Sequence, residues 1–355
     1  VVSHAPEFEN VQVNPEEWAL PINVALFVAA GIVIWLAGTR LARYADAFAE
    51  KTGLGRVAVG MILLGGITSL PEITIATTST LQGAPMLSVT DVLGSAALNV
   101  VILAIADATF RRGPLTSVQG SGRVMLQGVL GIVVMALSLG AHVAGDVLFL
   151  GIGVWSWLML GVYIVSIVML TSAGQAEAWR PAERRDKSEE FEDEAAKWSF
   201  ARLGSLIAVA AAAILVAGVT LAETGTALAE QTGLGLSFFG AVFLAITTSL
   251  PEVSMTTALA RRGQYEMAIS GIFGTNLFNV TIIVLVDALH PGKPVLPEVG
   301  KPAAVGALIG IVLTSIFLVG LIERRNRAFL RMGYDSIAVL LSYAAGLVVL
   351  YLVRG

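Results

Sequence analysis

The chain has 355 residues, 56% of them hydrophobic and 14% charged, with a formal net charge of −4 and a mean hydropathy of +0.80. Soluble domains carry about 45–50% apolar and about 25% charged residues, so this composition belongs to a protein whose main solvent is lipid and excludes an ordinary soluble enzyme. The lack of cysteine removes disulfides, thiolate metal sites and cysteine nucleophiles, and the acidic balance offers no basic field for nucleic acid.

Ten apolar runs of about 20 residues, each enough to cross a hydrocarbon core as a helix, follow one another between short polar breaks. They lie at 20–42, 57–82, 86–108, 122–141, 147–170, 202–223, 236–260, 265–289, 302–322 and 335–353. The segment 1–19 holds Glu7, Glu9, Glu16 and Glu17 and no Lys or Arg, unlike the positive start of a signal peptide. The first run is therefore expected to be a retained span.

Cytoplasmic loops collect positive residues, so the distribution of Lys and Arg fixes an orientation. The loops after the first, third, fifth, seventh and ninth runs carry 19 of the 22, leaving Lys293, Lys301 and Arg354 on the other side. Both termini are then expected outside a plasma (inner) membrane. The mixed-charge segment 171–201, with Arg184, Arg185, Asp186 and Lys187, is expected inside as a solvated linker.

An internal repeat runs at a constant offset of 180 residues. Thr52-Gly53-Leu54-Gly55 returns as Thr232-Gly233-Leu234-Gly235, and Thr68-Ser69-Leu70-Pro71-Glu72 as Thr248-Ser249-Leu250-Pro251-Glu252. Gly94, Asn99 and Asp107 return as Gly274, Asn279 and Asp287. Each half (20–170 and 202–355) holds five spans, an odd number, so the second enters the membrane from the opposite side. The expected fold is an all-α integral membrane protein of ten transmembrane helices in two inverted five-helix repeats, an organisation that suits secondary transporters.

Glu72 and Glu252 sit well inside the second and seventh runs, where a charged side chain costs about 2.5–3.5 kcal/mol on insertion scales. No Lys, Arg or His lies at comparable depth, so protons or bound metal cations must neutralise the pair. Pro71 and Pro251 each remove a backbone donor and clash with the preceding turn, which predicts a kink and free carbonyls near Gly65–Thr68 and Ala245–Thr248. Thr68 and Ser69 share a helix face with Glu72, as Thr248 and Ser249 do with Glu252. The third and eighth runs add Ser95 with Asn99 and Thr275 with Asn279, again four residues apart. This all-oxygen set suits hard cations such as calcium, sodium or magnesium. Asp91, Asp107, Glu266 and Asp287 lie toward span ends, where contact with interfacial water is the default.

With both TSLPE segments and the segments Gly94–Asn99 and Gly274–Asn279 in place, the chain resembles the calcium:cation antiporter superfamily, which includes the sodium/calcium exchangers. The resemblance implies an antiporter without a cofactor, whose substrates are calcium and sodium ions bound competitively by Glu72 and Glu252. Thr68, Ser69, Ser95, Asn99, Thr248, Ser249, Thr275 and Asn279 would assist, and the first and sixth spans would slide across the remaining bundle in the lipid. Two positions depart from the family pattern: Ala96 stands where the second repeat keeps Asn276, and both Asn99 and Asn279 are Asn where one Asp is common. The site then holds two carboxylates, which one divalent ion, two sodium ions or two protons neutralise equally. A proton-coupled or other divalent exchanger, a cation channel and an intramembrane enzyme are the alternatives to sodium/calcium exchange.

Overall fold

In hydrocarbon every backbone N–H and C=O must find its partner within the protein, which makes helices of the apolar runs. The computed structural model describes residues 18–108, 115–118, 121–171, 194–232, 248–290, 292–323, 328–329 and 332–353. In chain order the helices are α1 (Leu20–Thr52), α2 (Arg56–Thr68), α3 (Leu70–Leu81), α4 (Pro85–Ala108), α5 (Gly122–Ala144), α6 (Val154–Thr171), α7 (Phe200–Gln231), α8 (Leu250–Arg261), α9 (Tyr265–Leu289), α10 (Lys301–Glu323) and α11 (Tyr334–Val353). Among the described residues, eight helices are long and apolar enough to span a membrane, and α2 with α3 makes a ninth that bends by 45°. Of the run expected at 236–260, α8 is described; residues 233–247 lie outside the described residues, as do 1–17 and 172–193.

Three boundaries differ from expectation. The first and sixth runs continue to Thr52 and Gln231, giving helices of 33 and 32 residues. At 1.5 Å per residue each is about 50 Å long, well beyond a hydrocarbon core of about 30 Å. Arg40, Arg43, Asp46 and Glu50 end the apolar run of α1 without ending its hydrogen-bonding ladder, which stops at Gly53 (φ 68°), whose N–H returns to Ala49 O at 3.1 Å. The fifth run starts late because Leu148–Phe149 (β1) pairs antiparallel with Ile152–Gly153 (β2) ahead of α6. Ala328–Phe329 (β3) and Met332–Gly333 (β4) form the matching hairpin ahead of α11.

The internal repeat extends from sequence to architecture. Leu20 and Phe200, Leu70 and Leu250, Pro85 and Tyr265, and Val154 and Tyr334 each start corresponding helices 180 residues apart. The main apolar core runs through α4, α5, α6, α9, α10 and α11, with Phe273 edge-on to Phe317 at 6.0 Å. Helices α1 and α7 pack along one another through Ala30, Ile34, Ala217 and Leu221. Leu20, Val24, Val28, Ile32 and Leu36 remain exposed on α1, as a lipid-facing surface requires.

Asp107 and Asp287 do not face interfacial water. Each is buried to 1% exposure and closes a clamp between the halves. Asp107 Oδ1 accepts from Leu115 N and Oδ2 from Gly333 N at 2.8 Å. Asp287 Oδ1 accepts from Val295 N at 2.8 Å, while Oδ2 accepts from Gly153 N at 3.1 Å and Ser156 Oγ at 2.5 Å. Each carboxylate thus satisfies backbone donors in its own half and in the other half's hairpin. Their spacing in the sequence was visible; their partners, more than a hundred residues away, were not.

Candidate functional site

Both TSLPE segments break their helices at the serine. Ser69 has φ −85° and ψ 3°, Ser249 φ −84° and ψ 5°, and the next residues start α3 and α8 with proline in the first turn, where its missing N–H removes no helical bond. The break places Glu72 and Glu252 in first turns, at the positive ends of the two helix dipoles. Just before the first break, a single π-helical stretch over Gly60–Leu64 loosens the winding of α2.

The carbonyl expectation needs correction. Gly65 O is occupied, accepting from Ser69 N at 3.2 Å and Ser69 Oγ at 2.8 Å, and Ile67 O also takes a backbone N–H at the break. The serine at the kink thus bonds the carbonyl one turn back with both its N–H and its hydroxyl. Residues 245–247 lie outside the described residues.

The structure brings the expected site residues of the two halves together. Thr68 Oγ1 and Thr275 Oγ1 are 3.1 Å apart across the halves. Asn99 Nδ2 donates to Asn276 Oδ1 at 2.9 Å, linking α4 to α9. Backbones meet closely here: a Cβ on Gly65 would stand 2.8 Å from Thr275 N, and one on Gly274 2.5 Å from Met61 Cα. All ten predicted site residues are buried, with Glu72 2% and Glu252 0% exposed.

Several hydroxyls also bond to their own helices, Ser95 to Val92 O at 3.0 Å and Thr275 to Gly271 O at 3.0 Å, which leaves their oxygen lone pairs free to ligate. Among the described residues, Glu72 Oε2, both Glu252 oxygens, Asn99 Oδ1, Ser249 Oγ and both amide atoms of Asn279 make no well-formed hydrogen bond. A buried polar group left this way costs about 1–3 kcal/mol, more when charged, so the cluster is built for a partner that brings positive charge. The ion pairs of Asp46 with Arg56 and Arg262 and of Lys293 with Glu298 do not involve either glutamate. No group of three His, Cys, Asp or Glu side chains among the described residues is placed to hold a metal, so a cation here would need hydroxyl, amide and carbonyl oxygens to complete its shell.

Asp91 was assigned to a span end and belongs closer in. It stands one turn before Ser95 and two before Asn99 on the same side of α4, half-buried. Its four- and eight-residue spacing from Ser95 and Asn99 was the available signal.

A family model described as "Sodium/calcium exchanger protein" matches this chain twice, over residues 22–172 and 203–353. The chain belongs to the sodium/calcium exchanger family. Members are membrane transporters, and this one is a multi-pass membrane protein. Among curated relatives, "Inner membrane protein YrbG" of Escherichia coli (strain K12) is 26% identical over 275 residues, 76% of this chain and 80% of the relative. "Putative antiporter CaxA" of Alkalimonas amylolytica is 24% identical over 85% of this chain and 92% of its own length. A solved structure of the sodium-calcium exchanger NCX_Mj, soaked with Na+ and Sr2+, superposes with a TM-score of 0.69 at 16% identity, covering 93% of this exchanger-family chain and 99% of that one. At that identity the likeness establishes a shared fold.

Proposed function

We propose that this chain is a secondary antiporter that exchanges calcium for sodium by alternating access, binding either at Glu72 and Glu252. The observation that carries the reading is two carboxylates at matching places in the two halves, each buried in the first turn after a Ser-Leu-Pro break and with oxygens that have no partner among the described residues. Two negative charges in a low-dielectric interior are costly to move without counterions, so the site changes sides when loaded. That turns a carrier into an obligate exchanger. Thr68, Ser69, Ser95, Asn99, Thr248, Ser249, Thr275 and Asn279 supply neutral oxygens around either cargo.

The proposed layout is an outer segment 1–19, a five-helix repeat over 20–170, a cytoplasmic loop 171–201 and an inverted repeat over 202–355, with both termini outside. Two inverted halves give outward-open and inward-open states of similar energy. In the switch, α1 and α7 slide over the rest. Support comes from matched glycines: a Cβ on Gly38 of α1 would run into Ser254 and lie 3.4 Å from Pro251 O, and one on Gly218 of α7 would lie 2.7 Å from Pro71 Cγ. Each long helix crosses the proline break of the other half at a residue without a side chain.

The test is calcium flux in vesicles reconstituted with the purified chain under imposed sodium, potassium or proton gradients. Uphill calcium movement driven by sodium is expected, and Glu72→Gln or Glu252→Gln should reduce it to background while the protein stays folded. Flux driven by protons alone would replace sodium as the coupling ion. Purely downhill flux would make the chain a channel, and normal exchange in either variant would remove the site.

A further inference from the structure

Asn99 and Asn279 occupy matching places on α4 and α9, yet the structure holds one and leaves the other. The asymmetry begins at a backbone carbonyl. Ala96 O can accept and cannot donate, so Asn276 presents Nδ2 to it, at 3.0 Å. That turns Asn276 Oδ1 toward Asn99, which must answer with Nδ2, at 2.9 Å. Asn99 Oδ1 is then the atom left over, buried and without a partner among the described residues. The relay forces an oxygen, never an N–H, to face the site.

In the second half the same relay would run through residue 96, the counterpart of Asn276. Alanine there has no side-chain oxygen. Asn279 is 0% exposed, and neither Nδ2 nor Oδ1 has a partner among the described residues. Ala96 is itself fully buried, and α10 passes it at Gly310, where an added Cβ would lie 3.7 Å from Ala96 Cβ.

We infer that Asn276 and Ala96 are positioning residues that give the cation site one fixed amide ligand, Asn99, and one adjustable amide ligand, Asn279. Asn279 is free to turn its oxygen toward a cation and to follow changes in ionic radius; Asn99 is not. The ligands concerned are hard cations, and the consequence is tolerance: one half of the site sets the geometry while the other adapts to ions of different size. This inference rests on the exchanger reading above.

The experiment measures KM and Vmax for Ca2+, Sr2+ and Mn2+ in reconstituted vesicles for the wild-type chain, Ala96→Asn, Ala96→Ser, Asn276→Ala and the double variant Ala96→Asn/Asn276→Ala. Supplying an acceptor at residue 96 should fix Asn279 and sharpen discrimination between the ions by about three- to tenfold, the range matching the net worth of one hydrogen bond, mainly through KM. Asn276→Ala should release Asn99 and flatten discrimination by a similar factor. The double variant exchanges which amide is held, so it should return toward wild-type discrimination instead of adding the two effects. Ala96→Ser makes the same measurement with a smaller side chain if Ala96→Asn does not fold. Ion ratios within twofold of wild type in both the residue-96 and residue-276 variants would overturn the inference, as would a double variant in which the two changes simply add. A wild-type chain that moves none of these cations would instead remove the exchanger reading itself.

Discussion

The two regions of this molecule are fastened by different physics. Within the large helical core, buried carboxylates reach from one half into the other at Asp107 and Asp287, an amide relay joins α4 to α9, and Gln127 Nε2 donates to Ser270 O at 2.8 Å across the halves. These are directional bonds that a small displacement breaks. The α1–α7 pair leans on that core through apolar side chains, Ala37, Leu41, Ala42 and Ala45 of α1 among them, and crosses it at Gly38 and Gly218. Apolar contact between smooth surfaces has no preferred register, so it permits translation where a hydrogen-bonded clamp forbids it. The pair is tied to itself, by Asn23 Nδ2 to Gln231 Oε1 at 3.3 Å and by Tyr44 and Arg43 of α1 against Trp198 beside α7. The contrast locates the seam along which the proposed exchanger would slide.

Cross-linking the seam is the largest disturbance available. A Cβ at Gly38 would lie 3.2 Å from Ser254 Cβ, close to the separation of about 3.5–4.5 Å that a disulfide needs. The natural chain has no cysteine to interfere. Gly38→Cys with Ser254→Cys is expected to lose sodium-driven calcium flux on oxidation, by tenfold or more on the order of the cross-linked fraction, and to regain it on reduction. Full activity in the oxidised protein would show that α1 does not move against α8.

Opening a clamp inside the core should act on stability instead. Asp107→Asn or Asp287→Asn replaces one acceptor oxygen with an N–H that opposes a backbone N–H, at a cost of about 1–3 kcal/mol each. Thermal unfolding in detergent should shift down by several degrees for either variant. The shifts should add in the double variant, because the two clamps share no partner among the described residues. Below the transition, calcium KM should be unchanged, since neither carboxylate belongs to the ion site. A tenfold change in KM with unchanged stability would contradict that division.

What the sequence revealed and what it hid follow the same division. Local signals were enough for the helices: hydropathy located α9 at 265–289 with no error, and a proline two residues after a Thr-Ser pair placed both breaks. The candidate site residues were legible as a buried cluster because an internal repeat acts as its own comparison, so a polar residue kept at the same spacing in an apolar background stands out. Nonlocal partners were illegible. No spacing rule says that Asp107 answers to Gly333 or that Asn276 pairs with Asn99. The ends of α1 and α7 were misplaced for another reason: hydropathy reports where lipid ends, and a helix with its carbonyls still paired continues past it.

The smallest predicted effect concerns the end of α1 near Thr52, where the core contributes charge. Asp46 on α1 is 9% exposed and takes Arg56 Nε of α2 at 3.2 Å, with Arg262, just after α8, at 3.9 Å. The positions 180 residues from Asp46 and Arg262 are Thr226 and Gln82, so this tie has no counterpart at the opposite end. Arg56 is half exposed and Arg262 a third, so water screens the interaction and the whole tie is worth about 1 kcal/mol or less. A contribution that small is invisible in melting curves of a protein this size, but it acts on an equilibrium between two states of similar energy, where about 1 kcal/mol changes the population ratio up to fivefold. Asp46→Asn should therefore leave thermal stability unchanged and shift the half-saturating calcium concentration by about two- to fivefold, in opposite directions on the two sides of the membrane. Measuring flux from both faces of oriented vesicles reads this directly. Equal shifts on both faces would place Asp46 in the binding site's field, not in the latch that sets which way the site opens.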